Sequence, residues 1–438
     1  MKPYFLIILS TVIVLILKTF TYAQQSESDD YYQENFLRNS DYIYKDNIKT
    51  VLVYKEGFEM DEPVLLLNSD DRLIFRFDDL NGDYQKYEYT IIHCDADWNE
   101  SDLMPNEYLE SFSDDYIEEF QYGVNTIQPY THYWKTLPND VVSWRLSGNY
   151  LLKVYQNNDK NDVLFTHRFY VVEPKVSVLA RVRKPANISE RDTRQEVKFS
   201  IQTAGMTVND PYREIDVTIR QNGRWDNAIT DLQPRSVSGT ELVYDHDGIN
   251  VFDGGNAFRY FDLKSLRYNS FRVAGIEYSP LDGYQVYLHN DEVKKKNVYA
   301  NVQESINGRF LIKTEDMYNT NFEADYATVN FFLPYQTPLI QGKLYIMGGL
   351  TYWQFLPDAE LKYNYERQGF EGALMLKQGY YNYHYLMLPN NSKVGDVELC
   401  EGNFFDNNNE YNFFIYYTPL GGRYTRLVNV TNILTFPE

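Results

Sequence analysis

Gly254-Gly255-Asn256-Ala257-Phe258-Arg259-Tyr260-Phe261-Asp262-Leu263-Lys264-Ser265-Leu266-Arg267 lies between two long β-patterned halves and breaks the pattern of both. The glycine pair can take backbone angles that residues with a Cβ avoid. Phe258, Tyr260 and Phe261 follow at once, with Arg259 and Asp262 threaded between them. A surface turn rarely carries three aromatics, and a core strand rarely carries Arg and Asp among them. The stretch therefore reads either as a satisfied buried ion pair at a seam between modules or as a contact site, where arginine and aromatic side chains concentrate. The seam reading predicts a buried Arg259 bound to a carboxylate or a backbone carbonyl.

On the N-terminal side the dominant signal is alternation. Leu73, Phe75 and Phe77 alternate with Arg72, Arg76 and Asp78, and Asn81-Gly82 precedes Tyr87, Tyr89 and Ile91, which predicts a hairpin. Ser147-Gly148-Asn149-Tyr150 opens a strand in the manner of immunoglobulin-like sandwiches, and Glu173-Pro174 ends the region. Trp98 to Tyr122 is an acidic aromatic excursion too long for a tight loop. Val197, Phe199 and Ile201, then Ile215, Val217 and Ile219, alternate in the next region, and Gln221-Asn222-Gly223-Arg224-Trp225 turns the chain. On the C-terminal side Tyr284, Val286 and Leu288 alternate, and Asp291 to Lys296 reads as a charged, exposed boundary. Phe310 to Ile312, Ala327 to Leu333, Lys343 to Met347, Gly372 to Leu376, Gly379 to Tyr385 and Tyr411 to Tyr417 carry strand patterns to the end. Nowhere do ten or more residues show a capped 3.6-residue period. The expectation is an all-β chain of three tandem immunoglobulin-like or early-set β-sandwiches over 47–174, 175–299 and 300–438, after an extended arm at 24–46.

The start of the chain sets the compartment. Lys2 gives a positive n-region, Tyr4 to Leu17 is almost wholly apolar, and Thr21-Tyr22-Ala23 resembles a cleavage site, so residues 1–23 read as a secretory signal peptide. Lys18 interrupts the apolar run short of a membrane span, and no Cys follows it for lipidation. Formal net charge is −21, and the exported chain, without Lys2 and Lys18, is two charges more acidic. Nucleic acid and anionic membrane are poor partners for such a chain, because phosphate neutralisation needs clustered Lys and Arg; the charge suits solubility or the steering of a basic partner. Aromatics make up 16% of residues, which fits pleated surfaces rather than helical bundles. Cys94 and Cys400 could pair in an oxidising compartment, but nothing local supports a bridge and two separate buried thiols are favoured.

Catalytic patterns are absent. His93, His132, His167, His246, His289 and His384 show neither the i, i+4 spacing nor the cysteine partners of a zinc site. No Gly-x-Ser-x-Gly elbow or phosphate-binding glycine loop occurs. Asp95-Ala96-Asp97-Trp98-Asn99 has the alternating oxygens of a calcium loop, but Glu100 stands where the turn glycine belongs and Asn106 where the closing Glu belongs. No catalytic, cofactor-binding or metal-binding residues are expected, and no cofactor.

Several segments together resemble the plug-protein family of the type IX secretion system of Bacteroidetes, over essentially the whole mature chain. They are Tyr89 to Trp98, Tyr130-Thr131-His132-Tyr133, Ser147 to Tyr150, Gln221 to Trp225, Gly255 to Asp262, Glu401-Gly402-Asn403, Asn409-Glu410-Tyr411 and Arg423 to Leu427. The resemblance implies a non-enzymatic periplasmic protein, on the inner side of the outer membrane, that occludes the periplasmic opening of the SprA-type translocon barrel. Phe258, Arg259, Tyr260, Phe261 and Asp262, with Trp225, Trp98, Arg423 and Arg426, are then the expected junction or partner-contact residues. An alternative comes from the last module: Gly348 to Phe355 and the Gly379-Tyr380-Tyr381 strand look like early-set modules that accompany glycan-active enzymes. Exposed Trp353 and tyrosines would stack on sugar rings in a periplasmic or surface carbohydrate-binding protein. An inward Trp353 argues against it. A secreted enzyme would instead need carboxylates or histidines converging in a cleft.

Overall fold

The computed structural model describes residues 37–295 and 305–435. The signal-peptide expectation (1–23) and residues 24–36 of the arm lie outside the described residues. Ser40–Glu438 forms one compact unit; of the other unit, Met1–Asn39, only residues 37–39 are described. The chain is all-β, with short helical turns at loop corners and sheets that are largely antiparallel. Among the described residues no helix is long and apolar enough to cross a membrane.

The first module is a sandwich of two sheets. One runs Tyr42–Ile43, Asp159–Val172, Gly148–Gln156, Tyr87–Cys94 and Asp114–Ile117, with Val64–Leu66 added in parallel to Asp159–Val172. The other runs Ile48–Lys55, Leu73–Asp79, Thr131–Leu137 and Glu119–Tyr122. Inward positions carry Phe75, Phe77, Tyr87, Tyr89, Tyr133, Tyr150 and Phe169, which fill one core. The end of the N-terminal arm is held as an edge strand: Arg168 N donates to Asp41 Oδ1 at 2.7 Å and Thr166 Oγ1 to Ser40 O at 2.7 Å.

The expected Asn81-Gly82 hairpin is absent. Leu73–Asp79 and Tyr87–Cys94 belong to opposite sheets, and the turn arches across the sandwich so that Phe77 and Tyr87 meet edge to face at 5.5 Å. Alternation marks both strands, but it does not distinguish a ladder partner from a partner across the core. Gly82 (φ +75°) is required there for a second reason, because a Cβ would lie 2.8 Å from Pro129 Cβ. By contrast Asn222-Gly223, with φ of +51° and +80°, closes a true two-residue hairpin between Ile215–Gln221 and Arg224–Ile229.

The division between the second and third modules differs from the sequence expectation. The second module stacks a five-stranded sheet (Ser177–Arg183, Arg194–Gln202, Glu241–Tyr244, Ser236–Ser238 and Val251–Asp253) on a four-stranded one. That second sheet runs Arg224–Ile229, Ile215–Gln221, Glu410–Tyr417, Arg426–Leu434, so its last two strands come from the C-terminus. The third module is a nine-stranded sheet folded around its own core. It starts at Arg259–Asp262 and takes in Val273–Ser279, Gly283–Leu288 and every strand from Phe310–Ile312 to Gly379–Pro389. It is therefore inserted between two strands of the second module. Glu410–Tyr417 shows why sequence misplaced it: every residue is buried. Tyr411, Phe413 and Ile415 face the second module's core, while Phe414 and Tyr416 face the first module. A strand covered on both faces loses the polar–apolar alternation that would assign it to one module.

Candidate functional site: the seams between modules

Insertion of the third module means the chain must leave the second module and come back. Gly254 to Arg259 is the outgoing crossing and Glu401 to Asn409 the returning one, and they run side by side. Gly255 N donates to Asn403 Oδ1 (2.9 Å), Phe404 N to Gly255 O (2.9 Å) and Asn256 Nδ2 to Glu401 O (2.9 Å). Asn407 Nδ2 and Asn409 Nδ2 both donate to Gly254 O at 2.8 Å. The approach is close enough to exclude a side chain: a Cβ on Gly254 would lie 2.2 Å from Phe404 O.

Just past this crossing Arg259 is 6% exposed. Its Nε lies 2.9 Å from Glu401 Oε1, its Nη1 3.1 Å from Asp291 Oδ1, and its Nη2 donates to Glu292 O at 2.7 Å. The guanidinium also lies over the Tyr385 ring. Asp291 is fully engaged, accepting from Arg272, Tyr383 and Tyr385 as well. Burial pushes the Glu401 carboxyl up, but Arg259, His384 and Lys294 outweigh it and hold it below the usual carboxylate range. The same carboxylates outweigh the desolvation of Arg259 and raise its pKa. His384, stacked on Phe258 at 3.9 Å, is pulled down to about 4 by burial, so the imidazole is neutral at pH 7.

The partners of Arg259 are thus remote in sequence, and Asp262 is not among them. Asp262 instead binds Lys264, accepting from its backbone N at 2.9 Å and its Nζ at 3.0 Å. Phe261 is buried and stacked on Tyr381; Tyr260, half-buried, stacks on Phe271. The segment expected to be charged and exposed, Asp291 to Lys296, opens with a buried acid. Lys294 is tied as well, through its N to Cys400 O and its Nζ to Ala257 O.

Trp98, Trp225, Arg423 and Arg426 all lie on the seam between first and second modules. Arg168 sits in the corner between the Trp98 ring (4.2 Å) and the Trp225 ring (4.4 Å), which meet edge to face. Arg220 lies over Trp225 and pairs with Glu62 at 2.5 Å. Arg426 grips Glu173 with two nitrogens, and Arg423, more exposed, reaches Glu107 at 2.7 Å. Cys94 and Cys400 are separate buried free thiols, in different hydrophobic clusters, each pushed up to about 12 by burial.

A third seam was not legible in the sequence. Asp78, fully buried, accepts from Lys377 Nζ at 2.7 Å, Tyr326 Oη at 2.5 Å and His132 Nδ1 at 2.6 Å. Lys377 also donates to Asn321 O, and Arg76 to Asn321 Oδ1. Burial works against the Asp78 anion, yet Lys377 and His132 outweigh it and lower its pKa to about 2. Arg76 and Asp78 are the polar positions of an alternating strand, and that face is covered by the third module. Trp134, half-buried on the neighbouring strand and stacked on His132, is the signal that could have suggested a cover.

Among the described residues no cluster of three or more His, Cys, Asp or Glu is placed to hold a metal. Trp353 is half-buried, its ring against Gly223 and Gly308 and edge-on to Phe258.

A solved structure of a hypothetical protein from Parabacteroides merdae is similar to this chain at 34% identity and a TM-score of 0.88, covering 91% of this chain and 100% of that one. Trypsin-activated alpha-2-macroglobulin from Escherichia coli aligns at 8% identity and a TM-score of 0.17, over 89% of this chain and 29% of its own, too weak a likeness to carry argument. No curated protein sequence matches. The family model described as the type 9 secretion system plug protein first domain matches residues 48–173, the sandwich that runs from Ile48–Lys55 to Asp159–Val172. The chain belongs to the type 9 secretion system plug protein family.

Proposed function

We propose that the protein is a non-enzymatic plug, resident in the periplasm, that occludes the periplasmic opening of the outer-membrane translocon barrel of the type IX secretion system. Its involvement in type IX secretion follows from family membership; the occluding role is the reading the architecture supports best. One observation carries it. All three pairs of modules are cross-braced by ion pairs withdrawn from solvent, Lys377–Asp78 buried on both sides and Arg220–Glu62 and Arg309–Glu410 with one partner buried and the other half-buried. A body that seals a pore works by keeping its shape, and a buried ion pair broken by rotation leaves an unpaired charge out of water. The acidic surface keeps such a body soluble when it is not seated.

Trp353 is committed to the seam between second and third modules, so the carbohydrate-binding alternative loses the residue on which it was built. The test of the plug reading is a deletion strain scored for outer-membrane leakage to a large antibiotic, together with pull-down of the barrel by the tagged protein. Leakage restored to normal by the full chain, with the barrel co-purifying, is the expected result. An intact barrier in the deletion strain and no barrel in the pull-down would end the proposal.

A further inference from the structure

The second module opens with a strand that pairs on one side only. Ser177–Arg183 runs antiparallel to Arg194–Gln202 in unbroken register, from Ser177 opposite Gln202 to Arg183 opposite Glu196. It is the last strand of its sheet, and among the described residues its outer backbone groups have no backbone partner. Val178, Ala180 and Val182 pack on the module's core. Leu179, Arg181 and Arg183 turn outward, and Leu179 is 75% exposed.

The charge of this edge is opposite to that of the chain. From Lys175 to Arg194 the sequence holds Lys175, Arg181, Arg183, Lys184, Arg191 and Arg194 against Glu190 and Asp192 only, within a protein of net charge −21. Both acids are already taken, Asp192 by Lys184 at 3.2 Å and Glu190 by Arg194 at 3.2 Å. Among the described residues Arg181 and Arg183 have no anionic partner, and the residue opposite Arg181 is another cation, Lys198. Lys198 is itself neutralised by Glu196 and Asp247. Charges on an edge strand also serve to block self-pairing. That purpose accounts for the arginines but not for an outward leucine between them and the free backbone.

We propose that Ser177–Arg183 is a docking edge for an extended acidic segment of a partner protein, which adds to the sheet as a further strand. The exposed N–H and C=O groups supply the ladder, while alternate side chains of the guest meet Leu179, Arg181 and Arg183 and supply selectivity. Guanidinium groups suit this work because they bind carboxylates through two nitrogens at once.

The full chain is titrated with a fluorescent peptide of alternating glutamate and valine, with a lysine–valine peptide of equal length, and with heparin as a polyanion lacking strand-forming backbone. Saturable binding of the acidic peptide is expected, at least tenfold weaker in an Arg181→Glu/Arg183→Glu variant that melts at the wild-type temperature. An Arg181→Lys/Arg183→Lys variant should fall between the two. Amide hydrogen exchange should slow within Ser177–Arg183 when the acidic peptide binds and stay unchanged within Arg194–Gln202, which is already paired. No binding of the acidic peptide by the wild type would overturn the proposal, leaving the arginines as edge protection alone. Undiminished binding by the charge-reversed variant would overturn it too. So would heparin displacing the peptide with no slowing at Ser177–Arg183, which would mark a polyanion patch in place of a strand acceptor.

Discussion

Replacing Arg259 by Met keeps the length of the side chain and removes its charge from a site 6% exposed. Two carboxylates lose the guanidinium, unequally. Asp291 keeps Arg272 at 2.8 Å and the hydroxyls of Tyr383 and Tyr385. Glu401 keeps one hydrogen bond, from Tyr385 N to Oε1, with the Lys294 charge nearby, and its Oε2 has no hydrogen-bond partner among the described residues. Breaking a buried pair from one side costs roughly 3–5 kcal/mol, and with Asp291 still held the expected loss is about 3 kcal/mol. The loss should depend on pH. Without Arg259, burial lifts the folded-state pKa of Glu401 above its unfolded value, so the variant is least impaired below the ordinary carboxylate range and weakens as pH rises through the new value. Urea denaturation at pH 5 and pH 7.5 measures both effects, and Arg259→Met/Glu401→Gln should recover part of the loss at pH 7.5. Hydrogen exchange should show Arg259–Asp262 and Gly379–Pro389, which pair across this site, opening first. A cost below about 1 kcal/mol, or one that is the same at both pH values, would refute the reasoning.

His93 and His384 are both depressed by burial to about 4. The unfolded chain therefore takes up protons first, and their contribution is complete above pH 6.5 and is lost as pH falls toward 4, on the order of 3 kcal/mol each. Denaturant midpoints at pH 7.5, 6 and 4.5 should fall in that order, and the slope should halve in His384→Gln. Asp78→Asn leaves Lys377 buried with Asn321 O as its remaining acceptor; a loss of about 3 kcal/mol is expected, read by thermal melting, and Lys377→Met alongside it should restore part of that stability. Gly308→Ala meets the Trp353 ring, since a Cβ would lie 2.3 Å from it at a φ of +79°. A cost of ~2–4 kcal/mol follows, with a change in tryptophan emission that Gly239→Ala, whose Cβ would meet nothing, should not show.

What the sequence revealed and what it hid divide along a physical line. Short-range rules worked: the alternation of Ile215, Val217 and Ile219 located a core strand, and Asn222-Gly223 turned the chain at its end, because both depend on neighbours within a few residues. The oddity of aromatics around Arg259 pointed to a buried ion pair, since an arginine among core rings has to be neutralised somewhere. The identity of the neutralising groups was hidden. Glu401 and Asp291 are distant along the chain, and nearby Asp262 was the natural guess. The Asn81-Gly82 turn shows the same limit, for its residues fit a hairpin and an arch equally well. Module boundaries failed at Glu410–Tyr417 because a strand buried on both faces carries no sidedness, and the Asp78 seam failed because its surface became interior only when another module covered it.

Chain topology and charge together predict that this body resists bending. A module joined by one linker can swing about the few soft torsions of that linker. The third module is joined by two antiparallel crossings bonded to one another through Gly254, Gly255, Asn403, Asn407 and Asn409. Rotation about one crossing would therefore tear the other. The remaining freedom is a rocking of the third module against the first, and that motion is opposed by Asp78, Lys377 and Tyr326 on the far side. The first module in turn is bound to the second through Glu62 and Glu173. Three seams in a closed ring constrain one another, so none can serve as a hinge while the other two hold. Loosening the molecule would then require two seams to fail together, and the free energies of variants in different seams should be more than additive wherever the first already opens the ring.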